Sequence, residues 1–320
     1  MALSSATWDD HLLPNLRKVM NAEPKEQAFA GSPALTMFEK RPVSLQGNYI
    51  QAHVSYVGSA KGGAYTENSS LSTEDVKSAL VAEYTPAFYA EPVRMSHIDE
   101  KRCGGSQKLF DLWAFKVKQA KMRLRTKIAT DMFATSQASN GINPLPLIIP
   151  ADNTTVSYGN LDRATYTWWR NYSATAVGAW TSNGTDALDL LELNIQVDGG
   201  RGPDWYVTTK AIFQKMKKTA RTFDNFDSYT GKYAEKLADA GIQAINFNGK
   251  PIIWDPYCPS GYLYAIRNDA LYLGLYEDFD LSPIVRLEGS GVQGKVMYVR
   301  WAGQFVCEEQ RRLGQLSGLS

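Results

Sequence analysis

A chain of 320 residues is long enough for about two domains, and its 44% apolar residues suffice to build a real core. A formal net charge of +1 gives no global electrostatic reason to bind nucleic acid or an anionic membrane. The three cysteines, Cys103, Cys258 and Cys307, are scattered, odd in number and form no CxxC, which argues against a disulfide framework or metal cluster and for small buried thiols in a reducing compartment.

The first ten residues have neither a basic n-region nor an apolar h-region and do not read as a signal peptide. No stretch reaches the ~20 apolar residues that span a bilayer; a soluble cytoplasmic product is expected. Residues 1–46 lack a long periodic pattern. Pro14, Pro24, Pro33 and Pro42 punctuate them, and only Leu12, Leu13, Leu16 and Val19 form a short amphipathic stretch. This predicts an extended arm with little interior of its own.

From Tyr49 to Val57 apolar and polar residues alternate, with Ile50, Ala52, Val54 and Tyr56 on one face and Gln51, His53 and Ser55 on the other. That period predicts a half-buried strand. A glycine-rich turn over 58–63 and a polar stretch to Ser72 follow, with Ser72–Asp75 placed to cap a short helix. Val81 to Val93 reads as a second extended run, given an edge position by Pro86 and Pro92. An isolated hairpin is marginal in water, so this excursion is expected to lie on a neighbouring subunit.

Residues 106–137 carry the strongest local signal. Leu109, Trp113, Val117, Ala120, Leu124, Ile128 and Met132 recur at steps of three or four, one apolar helical stripe. Ser106 is placed to cap the start; Asn140-Gly141 and Pro144 lie beyond the end. A helix of this length runs roughly 45 Å. Its other faces carry Lys116, Lys118, Lys121, Arg123, Arg125 and Lys127, either a solvated basic face or one that meets acidic partner surfaces or nucleic acid.

Leu145–Pro150 reads as a short strand between prolines. Asp186–Val197 is a second amphipathic helix, with Leu188, Leu191 and Ile195 inward, Thr185 or Ser182 as cap and Gly199-Gly200 as stop. Trp205–Thr208 is a strand leading into a helix at Lys210–Arg221 with Ile212, Phe213 and Met216 inward. Ile242–Phe247 and Lys250–Asp255 form a hairpin on Asn248-Gly249. Tyr262–Arg267, Ala270–Tyr276 and Ile284–Leu287 continue the β character, and Gly294–Gly303 with Gln304–Arg311 reads as a final strand pair.

Enzyme signatures are missing: there is no phosphate loop, dinucleotide fingerprint, GxSxG or HExxH. His11, His53 and His97 are far apart, and His53 reads as a partly buried strand residue. Within Glu277–Asp280, Asp278 and Asp280 are candidate ligands for a divalent ion, though a turn of solvated acids is the simpler reading; Gly289-Ser290-Gly291 is a weak phosphate cradle. Lys61 sits in the tip of the excursion, where a lysine can form an isopeptide bond with an asparagine of a neighbour or be an ordinary loop lysine. No catalytic residue, metal or cofactor is assigned.

The order of elements carries a resemblance: arm, long hairpin, one long helix, Asn143-Pro144-Leu145-Pro146-Leu147-Ile148-Ile149-Pro150-Ala151, a helix–strand–helix unit, then strands. Asp204-Trp205, Gly249–Ile253, Glu308–Arg312 and the pattern from Leu161-Asp162-Arg163 to Trp168-Trp169-Arg170-Asn171 fit the same order. Over nearly its whole length the chain resembles the major capsid protein of tailed bacteriophages, an α+β fold of the Hong Kong 97 type. The resemblance implies an N-terminal arm at 1–46, an extended E-loop at 47–98, a P-domain at 99–172 with spine helix 106–137, an A-domain at 173–264 and a C-terminal return to the P-domain at 265–320. It also implies a structural role rather than an enzymatic one: self-assembly as pentamers and hexamers into an icosahedral shell in the virion, enclosing double-stranded DNA and put together in the host cytoplasm. The implied partners are a separate scaffolding protein, a portal protein, decoration proteins and non-specific contact with the packaged DNA, with no membrane. In that setting Tyr49, Tyr56, Lys61, Tyr84, Phe88 and Tyr89 are the candidate contacts with a neighbouring subunit. The alternatives are an encapsulin-type nanocompartment shell and a metal-dependent enzyme using Asp278 and Asp280.

Overall fold

The computed structural model describes residues 31–43, 49–56, 64–67, 78–96, 98, 106–196, 200–222, 243–276, 282–287 and 294–320. In chain order it has helix α1 (Pro33–Met37) and strands β1 (Lys40–Pro42), β2 (Ile50–Ser55), β3 (Ala79–Tyr84) and β4 (Ala87–Ser96). Helices α2 (Ser106–Met132) and α3 (Leu145–Ile148), strand β5 (Tyr172–Ala174), helix α4 (Thr185–Ile195), strand β6 (Trp205–Thr208) and helix α5 (Lys210–Thr222) follow. The rest is β7 (Ala244–Phe247), β8 (Lys250–Trp254), β9 (Leu263–Ile266), β10 (Leu271–Leu275), β11 (Ser282–Leu287), β12 (Gly294–Cys307) and β13 (Gly314–Leu316). These elements belong to two compact units, one drawn from 88–129 and 278–302, the other from 32–87, 130–277 and 303–320.

In the first unit β11 pairs antiparallel with β12, Ser282 opposite Arg300 and Leu287 opposite Val296, with a register irregularity between Ile284 and Leu287. Strand β4 also pairs with β12, and Tyr89 meets the Trp301 ring edge-on at 5.6 Å. Helix α2 turns Ala120, Leu124 and Ile128 inward at four-residue steps. It ends at Met132, five residues short of the expected 137. The last turn tightens through Phe133 N–H to Thr130 O and Ala134 N–H to Asp131 O, and the Thr135, Ser136, Ser139 and Asn140 that follow are poor helix formers.

The second unit holds a six-stranded sheet in the order β5-β13-β9-β6-β8-β7. One face carries Tyr172, Leu316, Leu263, Ala265, Tyr206 and Ile252, and it packs with Leu188, Leu191 and Ile195 of α4 and Ile212, Phe213 and Met216 of α5 into one core cluster. The alternation of the strands turns Trp205, Val207, Tyr264 and Ile266 to the other side, all fully buried; there Phe38 meets Trp205 edge-on at 5.0 Å. The β7–β8 hairpin turns on Asn248 (φ 48°) and Gly249 (φ 77°), as Asn-Gly between strands predicts. Strand β1 adds parallel to β10, whose other neighbour is the end of β12.

Four expectations change. The proline-flanked run Leu145–Pro150 contains a single helical turn rather than a strand: Pro144 precedes it, Pro146 falls in its first turn, and Leu147 and Ile148 donate to Pro144 O. The run from Val81 to Val93 is two strands broken at Thr85-Pro86, β3 pairing with β2 and β4 with β12. The expected final pair is one strand, because Gly303 stays extended opposite Leu275 and the buried Gln304 is no turn residue. Its side chain accepts from Asn143 N–H (2.8 Å) and Phe305 N–H (3.0 Å) and donates to Thr85 O (2.7 Å). Helix α4 has no side-chain cap; Gly184, seated on the Trp180 ring, precedes it at the end of a π-turn. Positions 172/173 and 264/265 lie within β5 and β9 of the six-stranded sheet, and β13 lies between those two strands.

Candidate intersubunit surfaces

The β2–β3 hairpin shows which part of the excursion has an interior. Ile50 faces Tyr84 and Ser55 faces Ala79, so the root lies at Ile50 and Tyr84 and the tip beyond Ser55 and Ala79. Burial alternates with the strand faces along the hairpin: Ile50, Ala52, Val54, Ala82 and Tyr84 are buried, while Gln51, His53, Ser55, Ala79 and Val81 are exposed. Tyr84 donates its hydroxyl to Cys307 O at 2.7 Å and packs on Tyr158 at 5.1 Å. Burial is the main cause of a phenol pKa well above its ordinary value in both tyrosines. Glu83 N–H donates to Gly159 O at 3.0 Å, and Tyr56 stacks flat on Trp168 at 4.9 Å. The described hairpin is therefore held by its own subunit along its length, from Tyr84 at the root to Tyr56 past Ser55, rather than by a neighbour.

This sorts the expected contact residues. Tyr84, 1% exposed, is part of the subunit core and has no surface to offer. Tyr56 is half-buried on Trp168, and Tyr89 is half-buried beside Trp301. Tyr49 (45% exposed) and Phe88 (56%) remain open, as do Val81 and Tyr65, which were not singled out in the sequence. Lys61, Cys103, His11, His97, Asp278 and Asp280 lie outside the described residues, as does the stretch expected to cap at Ser72.

The basic face of α2 is partly engaged. Arg123 pairs with Glu91 of β4 at 2.6 Å, and Lys116 donates to Arg94 O at 3.1 Å. Lys118, Arg125 and Lys127 are exposed and Lys121 is half-buried.

The segment after α3 is a plug around Arg163. This guanidinium is 0% exposed and donates to Ile148 O (2.7 Å), Val156 O (2.9 Å) and Leu147 O (3.4 Å). It thereby satisfies carbonyls at the end of α3 that have no helical partner. Trp169 Nε1 donates to Tyr158 O at 2.9 Å. Two turns flank it, in which Asp152 accepts from Thr154 and Thr155, and Asp162 from Ala164 and Thr165. These bonds hold both carboxyls below their ordinary pKa. An open cleft of about 490 Å³ lies beside this plug, lined by His53, Tyr56, Trp168, Arg267, Glu308 and Arg311 among others.

The chain's entry into the unit is clasped by Asp255. Its carboxylate accepts from Ser32 Oγ (2.5 Å), Ala34 N–H (3.1 Å) and Tyr257 N–H (2.9 Å); burial nevertheless raises its pKa. On the outer side of the sheet, Glu192 of α4 accepts from Tyr206 Oη (3.1 Å), Asn248 Nδ2 (3.3 Å), Gln196 Nε2 (3.3 Å) and Lys250 Nζ. The helix is thus tied to the β7–β8 turn. Leu190 (52% exposed) and Leu193 (66%) stand open on the opposite side of α4. Sequence patterning passed over them, although five leucine or isoleucine residues in eleven positions are more than one inward stripe needs.

Among the described residues no three His, Cys, Asp or Glu side chains gather as metal ligands, and no helix is long and apolar enough to cross a membrane. Cys258 and Cys307 are free and buried, with burial raising both thiol pKa values.

No protein-family model and no curated protein matches this chain. Solved structures do. The capsid of cyanophage A-1(L) aligns with 92% of this chain and 94% of its own at TM-score 0.66 and 14% identity. The capsid of the Myoviridae phage XM1 aligns over 92% and 94% at TM-score 0.57 and 11% identity. The SrpI encapsulin of Synechococcus elongatus aligns over 100% and 97% at TM-score 0.54 and 11% identity. The chain has the α+β fold of the Hong Kong 97 type found in tailed-phage capsids.

Proposed function

We propose that this chain is the major capsid protein of a tailed bacteriophage, a shell subunit and not an enzyme. What supports this most is end-to-end correspondence with the cyanophage capsid subunit, with 92% of one chain aligned to 94% of the other. A correspondence of that extent leaves little chain over for a separate catalytic domain.

Copies of the chain assemble as pentamers and hexamers into an icosahedral head around double-stranded DNA. In this reading residues 1–46 are the arm, 47–98 the E-loop, α2 the spine of the P-domain, and the α4–β6–α5 unit with its sheet the A-domain. Anchoring the root of β2–β3 in its own subunit while Tyr49, Val81, Phe88 and Tyr65 stay exposed suits a limb that is aimed outward by its own globule and buries its far side on the next copy. Exposed aromatic and aliphatic side chains are the anchors such contacts use. A near-neutral subunit also avoids the mutual repulsion of many like-charged copies. Scaffolding, portal and decoration proteins, non-specific DNA contact through Lys118, Arg125 and Lys127, assembly in the host cytoplasm and residence in the virion complete the proposal.

The test is expression of the chain, alone and with a candidate scaffolding protein, followed by sedimentation and cryo-electron microscopy, and extraction of native particles. Closed shells whose native form holds DNA are expected. Particles loaded with a protein cargo instead point to an encapsulin; a monodisperse small protein that never assembles refutes both shell readings.

A further inference from the structure

Helix α4 carries more apolar surface than its own core uses. Leu188, Leu191 and Ile195 are buried against the sheet, and Leu190 and Leu193 project into solvent one turn apart. Asp186 and Asp189 stand four residues before them, both exposed. The helix holds three acidic residues and no basic one; one of the three, Glu192, is buried in its own polar cluster. Its exposed face is therefore a pair of leucines framed by negative charge.

Helix α5 is the counterpart. It holds Lys210, Lys215, Lys217, Lys218 and Arg221 and no acidic residue. Lys210, Lys215 and Lys218 are exposed, and between them lie the exposed Ala211 and Gln214. A small side chain flanked by ammonium groups is a seat into which leucines framed by carboxylates fit. The two helices pack on the same face of one sheet: α4 lies on β5 and β13 and reaches the β7–β8 turn through Glu192, and α5 lies on β8 and the π-turn that precedes α4.

Resting on the shell reading above, we propose that the Leu190–Leu193 ridge of α4 in one copy docks on the basic face of α5 in the next copy around a capsomer. Two different surfaces of one chain, one acidic and one basic, make a head-to-tail contact, and such a contact closes into a ring when the rotation between copies is constant. The leucines supply the apolar burial, and the charges set orientation and exclude the wrong pairing of like helices.

The test uses the full chain, assembled alone or with a candidate scaffolding protein, in five forms: wild type, Asp186→Lys with Asp189→Lys, Lys215→Glu with Lys218→Glu, all four charge substitutions together, and Leu190→Ser with Leu193→Ser. Thermal unfolding of the unassembled chains checks that these exposed positions leave the fold intact. Each reversed pair is expected to lower the yield of closed shells by about tenfold, because like charges then face each other across the contact. The fourfold chain, which restores opposite charges, is expected to recover to within about threefold of wild type. Leu190→Ser with Leu193→Ser should match the loss and not be rescued. Wild-type yield from the α4 reversal, or a fourfold chain no better than its parents, overturns the proposal. So does an α5 reversal that gives full-yield shells. Wild type that forms no shells fails the shell reading itself, a separate result.

Discussion

Replacing Glu192 by alanine removes the acceptor on which α4 is fastened to the β7–β8 turn. The carboxylate side chain is 8% exposed and that of Lys250 is 18% exposed, so neither charge has bulk water to fall back on. After the substitution the Lys250 ammonium is left without its counter-charge. The Tyr206 hydroxyl, whose pKa is raised first by burial and then by the Glu192 charge, loses its acceptor. Breaking a buried pair costs about 3–5 kcal/mol, and because Lys250 keeps some solvent the lower end, about 3 kcal/mol, is expected. Urea unfolding of the unassembled chain, followed by tryptophan fluorescence, reads this as a drop in midpoint at unchanged slope. Combining Glu192→Gln with Lys250→Met keeps an acceptor for Tyr206 and removes the stranded ammonium, so that chain should return to within about 1 kcal/mol of wild type. A Glu192→Ala chain as stable as wild type, or a double variant as weak as the alanine chain, refutes the assignment of this cluster as a charge-dependent fastening.

Three further outcomes follow from the same geometry. Arg163→Met fills the stem of the buried side chain but orphans Ile148 O and Val156 O, which costs about 3–5 kcal/mol and lowers the thermal midpoint by on the order of 10 °C; a shift under a few degrees contradicts the plug. Gly159→Ala forces a side chain at φ 65° and sets its Cβ 2.9 Å from Tyr84 Oη, so the urea midpoint should fall by about 1–3 kcal/mol in free energy; an unchanged midpoint shows that the hairpin root does not sit there. Asp255 has a folded-state pKa above its unfolded value, so its contribution is fully present below the unfolded pKa and is lost as pH rises through the folded one. The stability gap between wild type and Asp255→Asn should therefore widen as pH falls from neutrality. Asp152 and Asp162, with lowered pKa, act in the opposite sense, their contribution being lost as pH falls through the folded value. A gap that narrows on acidification contradicts the Asp255 assignment.

Local periodicity made several elements legible. The inward stripe of α2 from Ala120 to Met132, the alternation of β2 and the Asn248-Gly249 turn follow from rules that act within a few residues, and the structure has them where those rules put them, while the burial of Leu109 and Trp113 lies outside what is described. What sequence missed depends on partners far along the chain. Gln304 looks like a turn residue until Thr85 and Asn143 supply its hydrogen bonds. Arg163 looks like a surface residue until the carbonyls at the end of α3 surround it. Leu-Pro-Leu-Ile fits a strand or one helical turn equally well, and only the backbone bonds to Pro144 O decide. Tyr84 reads as a contact anchor because aromatic content says that a residue will be buried but not by which chain. Tyr49 and Phe88, of the same chemistry, stay exposed because their strand faces point away from the subunit's own core.

The account stands on the chain being one tile of a closed shell whose E-loop hairpin is rooted in its own subunit and spread over the next. Cryo-electron microscopy of particles formed by the expressed chain, alone or with a candidate scaffolding protein, tests this most directly. Density is expected to show Tyr84 against Cys307 O within one subunit while the exposed side of β2–β3, with Tyr49 and Val81, is covered by a neighbour. A chain that stays monomeric under those conditions, or shells in which that side of the hairpin faces only solvent, contradicts it.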